Sequence, residues 1–116
     1  MIKGRILTEA IPLTEVVGLL GSYSDFVKAV VDVSRRVMVV GGELHADDEA
    51  ILLDQGSRQE NLWGINLYPS EDDADWIEFD SMINIRPRQG NRSRGVDDRE
   101  TRHLIREVVD SLVARP

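Results

Sequence analysis

The chain has 116 residues, no cysteine and a formal net charge of -7, with 41% apolar and 30% charged residues. That suits one folded domain over 1–116 and excludes disulfide staples, thiolate metal sites and cysteine nucleophiles. No apolar run approaches the roughly 20 residues that span a bilayer, and Glu9 and Pro12 interrupt any secretory leader, so a cytoplasmic location without membrane contact is expected.

Residues 2–7 suit a short strand. Leu13, Val16, Val17 and Leu20 recur at helical spacing, with Pro12 tolerated at the first turn and Gly21 suited to end the helix. Residues 26–33 alternate as a strand: Val27, Ala29, Val31 and Val33 share one face, Lys28, Val30 and Asp32 the other. Ser34-Arg35-Arg36 turns the chain into the β-branched run Val37-Met38-Val39-Val40, which Gly41-Gly42 ends. Residues 47–55 fit a short helix, with Asp47, Asp48 and Glu49 at its positive end, but a strand remains open. A strand is predicted over 62–68, with Trp63, Ile65 and Leu67 on one face. The longest strand is predicted over 76–86, with Ile77, Phe79, Ser81, Ile83 and Ile85 facing one way and Trp76, Glu78, Asp80, Met82, Asn84 and Arg86 the other. Pro87 stops it. In the last helix, Leu104, Ile105, Val108, Val109, Leu112 and Val113 form a full apolar stripe. Asp97 and Glu100 have capping-box spacing, and Asp98 and Arg102 are placed for an i, i+4 pair.

The order (β)-α-β-β-α-β-β-α predicts an α+β fold: a mainly antiparallel sheet of four to five strands with about three helices on one face. The expected core holds Val31, Val39, Trp63, Ile65, Phe79, Ile83, Ile105, Val108 and Leu112.

Charge is unevenly distributed. Residues 43–80 hold twelve acids and one base, Arg58, whereas 86–106 hold seven arginines and three acids. Arg86, Arg88, Arg92, Arg94 and Arg99 crowd a glycine-punctuated stretch that opens onto a helix start. Guanidinium groups grip phosphate or carboxylate through paired hydrogen bonds, and a helix start adds backbone donors. Arg86, Arg88, Asn91, Arg92 and Arg94 are therefore the candidate anion-binding residues. Pairing of these arginines with the acidic middle segment is the competing reading. Asn66, Asp80 and Asn84 share a predicted sheet face that runs into this stretch and would support such a site, with Glu78 and Asp80 as candidate bases. Glu43, His45 and Asp47 have the chemistry of metal ligands, although their spacing matches neither an EF-hand nor a His-Glu-x-x-His helix. No Gly-x-Ser-x-Gly elbow occurs, and an acidic domain without a broad basic face is a poor partner for duplex nucleic acid.

Three segments, Gly-Gly-Glu-Leu-His-Ala-Asp at 41–47, Gly-Ser-Arg-Gln-Glu-Asn-Leu-Trp-Gly-Ile-Asn-Leu-Tyr-Pro at 56–69 and Ile-Asn-Ile-Arg-Pro-Arg-Gln-Gly-Asn-Arg-Ser at 83–93, resemble a family of short, uncharacterised prokaryotic proteins. The resemblance implies a self-contained domain of this length and brings neither an activity nor catalytic residues. Two roles follow from the residues. One is a binding or interaction module whose arginines meet an anionic small molecule or an acidic protein surface, including that of a second copy in a homodimer. The other is a small enzyme for a phosphorylated or carboxylated substrate, metal-assisted through 43–49. No cofactor is indicated.

Overall fold

The structure, a computed structural model, describes residues 3–21 and 24–116. Among these, the chain forms β1 (Arg5–Leu7), β2 (Ile11–Pro12), α1 (Leu13–Val17), β3 (Val27–Asp32), β4 (Val37–Val40), α2 (His45–Asp54), β5 (Leu62–Leu67), β6 (Ile77–Glu78), α3 (Arg99–Leu112) and β7 (Val113–Ala114). The main sheet has the order β1-β4-β3-β5-β6, antiparallel throughout, while β2 and β7 form a small parallel pair. The fold is α+β, as expected. Of the strand expected over 2–7, Ile2 lies outside the described residues.

The sheet alternation sorts side chains into two cores. Ala29, Val31, Met38, Val40, Trp63, Ile65 and Leu67 meet Val16 of α1 and the Ile105, Val108, Val109 and Leu112 stripe of α3. Val30, Val39 and Leu62 meet Leu52 of α2, with Ile51 and Ile83 packed alongside. Helices therefore cover both faces, not one. A strand such as β3, apolar at Val27, Ala29, Val30 and Val31, is built for burial on both sides. The helix over 45–54 also settles the open choice for this segment. It ends at Asp54 with Gln55 as its cap, and Gly56 follows at φ 94. The first helix is shorter than its stripe, ending at Gly18 with Leu19 and Leu20 continuing as hydrogen-bonded turns.

The long strand expected over 76–86 does not form. Trp76 closes a turn through its N–H to the Asp72 carbonyl (3.0 Å) and is buried with Ile77 rather than alternating with it. Pairing stops after Glu78. Ser81 then turns the chain, its Oγ accepting the Ile83 N–H (3.3 Å), and Met82–Asn84 is a 3-10 turn. This local hydroxyl-to-backbone bond competes with the ladder and prevails. Phe79 and Ile83 consequently end up only partly buried. Asn84 takes over the missing strand's work: Gly64 N–H donates to its Oδ1 (2.8 Å) and its Nδ2 donates to the Gly64 carbonyl (2.9 Å).

At the final helix the cap is Asp98, not Asp97. Asp98 accepts from the Thr101 N–H (2.9 Å) and Oγ1 (2.7 Å), so Thr101 stands where the capping box wanted a glutamate. Arg102 turns away from Asp98 and donates to the carbonyls of Val96 (2.6 Å) and Asp97 (3.2 Å).

Candidate functional site

Antiparallel pairing places Lys28 of β3 opposite Asn66 of β5, and Asn66 opposite Glu78 of β6. All three point to the α2 side of the sheet, since side chains alternate and Val30 on that side packs under Leu52. The start of α2 stands off this row and leaves a cleft of about 530 Å³. Phe26, Leu44, Met82 and Ile83 give it apolar walls, while Tyr68, Asp80 and Arg94 form part of its polar edge.

The polar groups are held by one another. Asn66 Nδ2 donates to Glu78 Oε1 (2.8 Å) and to the Asp80 carbonyl (3.3 Å), and the Tyr68 hydroxyl donates to the same Glu78 oxygen (3.2 Å). These bonds fix the Asn66 amide so that its Oδ1 is an acceptor, yet that buried atom accepts no hydrogen bond of good geometry among the described residues. Arg94 Nε donates to Asp80 Oδ1 (2.6 Å). Lys28 Nζ stands 4.9 Å from the Phe26 ring centre and forms no ion pair among the described residues.

His45, the first residue of α2, donates from Nε2 to the Ile65 carbonyl (2.8 Å), which leaves Nδ1 with the ring's lone pair. Burial holds its pKa below the ordinary 6.5, aided by Lys28. The Ile65 carbonyl, the Asn66 side chain and Asp80 pull the other way. A neutral imidazole beside carboxylates can accept a proton near neutrality. Ser81 Oγ accepts the Ile83 N–H, and its own proton goes to no acceptor among the described residues.

The arginine segment divides. Arg86 is structural: it reaches back to the carbonyls of Gln59 and Leu62 and stacks at 4.2 Å on Trp63. Burial lowers its pKa and nearby Glu49 opposes the shift. Asn91 is also structural. Its Nδ2 donates to the carbonyls of Asn84 (2.8 Å) and Gly95 (2.8 Å), and its Oδ1 accepts from Asp97 N–H (2.8 Å). Asn84 serves Gly64, as described above. Arg94 alone among the five candidates lines the cleft. Arg88 and Arg92 are exposed, as is Arg99, and none of the three has an ion pair among the described residues. Of the supporting residues, Asn66 and Asp80 do line the cleft.

Glu43, His45 and Asp47 are not brought together. His45 turns to Ile65, Glu43 borders a separate depression beside Gly41 and Gly42, and no three His, Asp or Glu side chains converge as a metal site among the described residues. The acid that α2 turns inward is Asp48, one turn before Leu52. It is fully buried, and neither oxygen accepts a hydrogen bond of good geometry. Burial raises its pKa from 3.8 to about 7, and Asp47 adds to this, while the Gly42 N–H and Lys28 oppose it. The i, i+4 spacing of Asp48 and Leu52 is the signal that would have placed this acid inside. Lys28 was likewise within reach of sequence reasoning, because its strand face was assigned; only the pairing with Asn66 was missing.

The chain belongs to the family described as Protein of unknown function (DUF5674), whose model matches residues 5–112. No curated protein and no solved structure matches the chain. No helix among the described residues is long and apolar enough to cross a membrane.

Proposed function

We propose that this domain, from a family without an assigned activity, binds a small organic molecule carrying an acid group in the cleft between α2 and the β3-β5-β6 strip. The observation that carries the reading is the cross-strand row Lys28-Asn66-Glu78, which faces a cleft of about 530 Å³ with a cation that has no carboxylate partner among the described residues. Small-molecule sites are of this size, with apolar walls and a few convergent polar groups. Lys28 supplies the charge for the acid. Arg94 stands at the edge with Nε bonded to Asp80 and with its two terminal nitrogens donating to no partner among the described residues.

The test is calorimetric or NMR titration with inorganic phosphate and simple carboxylates, on the parent chain and on Lys28→Met. A charge-assisted bond contributes about 1.5–3 kcal/mol, so removing the ammonium should weaken binding roughly tenfold to a hundredfold. Equal affinity in the two proteins would refute the role given to Lys28. A second reading, docking against an acidic protein surface or a second copy, is favoured by the exposed Arg88, Arg92 and Arg99, which form no ion pair among the described residues. It requires that Arg92→Ala change the mass seen by light scattering or the capture of an acidic partner.

A further inference from the structure

We infer that the molecule taken by this cleft is an amino acid with an apolar side chain: its carboxylate on Lys28, its ammonium on Glu78 and Asp80, and its side chain against Leu44 and Met82. The inference rests on the cleft being a ligand site, as proposed above, and adds what kind of ligand.

The charges of the cleft come in two signs and remain uncancelled in two places. Arg94 and Asp80 are already bonded, at 2.6 Å. Among the described residues, Lys28 is left without an anion and Glu78 without a cation, with Glu78 Oε1 taken by Asn66 and Tyr68 and its Oε2 open. Asp80 also keeps one oxygen free of donors among these residues. A ligand that is only an anion would satisfy Lys28 but share the cleft with the carboxylate of Glu78, which no ion pair among the described residues offsets, and like charges repel. A ligand that is only a cation meets the converse problem at Lys28. A zwitterion satisfies both ends of the row, with Asn66 between them.

The walls specify the remainder. Leu44 and Met82 are 58% and 64% exposed, and both line this cleft, with Phe26 and Ile83 deeper. Large apolar side chains left in water around a polar row are what an apolar substituent would cover. Unbranched, flexible Met82 can adapt to substituents of different shape.

The experiment compares matched molecules on the full chain by calorimetry: leucine with isocaproate, which lacks the amine, and with isoamylamine, which lacks the acid; phenylalanine with hydrocinnamate and phenethylamine; and glycine and inorganic phosphate. Leucine or phenylalanine should bind at least tenfold more tightly than either of its halves and than glycine. Glu78→Gln, at an exposed residue, should bring leucine down to isocaproate while leaving isocaproate no weaker. His45 and His103 are the only histidines, so the His45 ring resonances, with His103 as internal reference, report whether binding occurs in the cleft. Isocaproate or phosphate binding as tightly as leucine would overturn the amino-acid assignment and leave an acid-binding cleft. Glycine matching leucine would overturn the role of the apolar walls. Binding by none of these molecules would overturn the acid-binding reading as well.

Discussion

Asp48 gives the sharpest test of the physical reasoning, because a buried carboxyl that accepts no hydrogen bond of good geometry must betray itself in the pH dependence of stability. Its pKa is 3.8 in an unfolded chain and about 7 in the folded protein. Between those values the folded protein holds a proton that the unfolded chain has released, so this residue makes stability fall as pH rises, with the loss complete above about pH 7. At 1.36 kcal/mol per pKa unit, the full loss is at most about 4 kcal/mol. The carboxyl cannot easily move to escape the charge, because a Cβ built on Gly4 or Gly42 would overlap it, which shows how closely both backbones press on it.

Asp48→Asn keeps the shape and removes the titration. Urea denaturation followed by tryptophan fluorescence suits the measurement, since Trp63 and Trp76 are 5% and 1% exposed and report on the core. The quantity to follow is the stability of the variant minus that of the parent between pH 5 and 8. Differencing matters because His45 acts in the opposite sense: its lowered pKa makes stability rise with pH up to the ordinary 6.5. The difference should shift by about 2–3 kcal/mol in favour of the variant between pH 5 and 8, the rest of the loss lying below pH 5. A difference that stays constant with pH would refute the claim that Asp48 is buried and unpaired.

Two further outcomes are expected. Asn84→Ala strands the buried N–H and C=O of Gly64, costs about 2–4 kcal/mol in denaturation, and speeds exchange of the Gly64 amide; unchanged exchange would mean that the side chain is not the strand's partner. Arg36 sits at φ 57 between β3 and β4, so Arg36→Gly should raise stability by up to about 1 kcal/mol, the exposed contact it makes with Glu107 at 3.8 Å contributing little.

The parts of the fold that could be read from the sequence are those in which one periodic signal runs uninterrupted. The α3 stripe from Leu104 to Leu112 has no competing local chemistry, and the alternation in 26–33 correctly put Lys28 and Val30 opposite Ala29 and Val31. The stretch over 76–86 alternates as regularly, but period two says nothing about Ser81, whose hydroxyl serves the backbone two residues on. The charge of Arg86 is visible in the sequence and its destination is not. Trp63 and the Leu62 carbonyl lie more than twenty residues upstream and reach Arg86 only through the fold. The acids at the start of α2 fit the helix dipole equally well, so dipole reasoning did not separate exposed Asp47 from buried Asp48.

The cleft itself exists because the strand stops. With Asn66 opposite Glu78 and Leu67 opposite Ile77, a ladder continued in the same register would put Asp80 opposite Gly64 and Met82 opposite Leu62. Both residues would then be strand side chains beside β5, and little would remain of the wall that Met82 gives the cleft. The chain instead leaves the sheet and places Ser81 over Gly64, so close that a Cβ on Gly64 would come within 2.5 Å of the Ser81 Cβ. It returns only when the Asn84 amide fills the vacant ladder position. Leaving two backbone groups unpaired at that point would cost several kcal/mol, so the detour is tolerable only because an amide, which both donates and accepts, occupies that position. Within the detour, Asp80 is free to turn towards Arg94, and Met82 stands exposed in the same cleft as Asn66 and Glu78. The interruption that defeats a reading by periodicity is thus what gives the Lys28-Asn66-Glu78 row its enclosure.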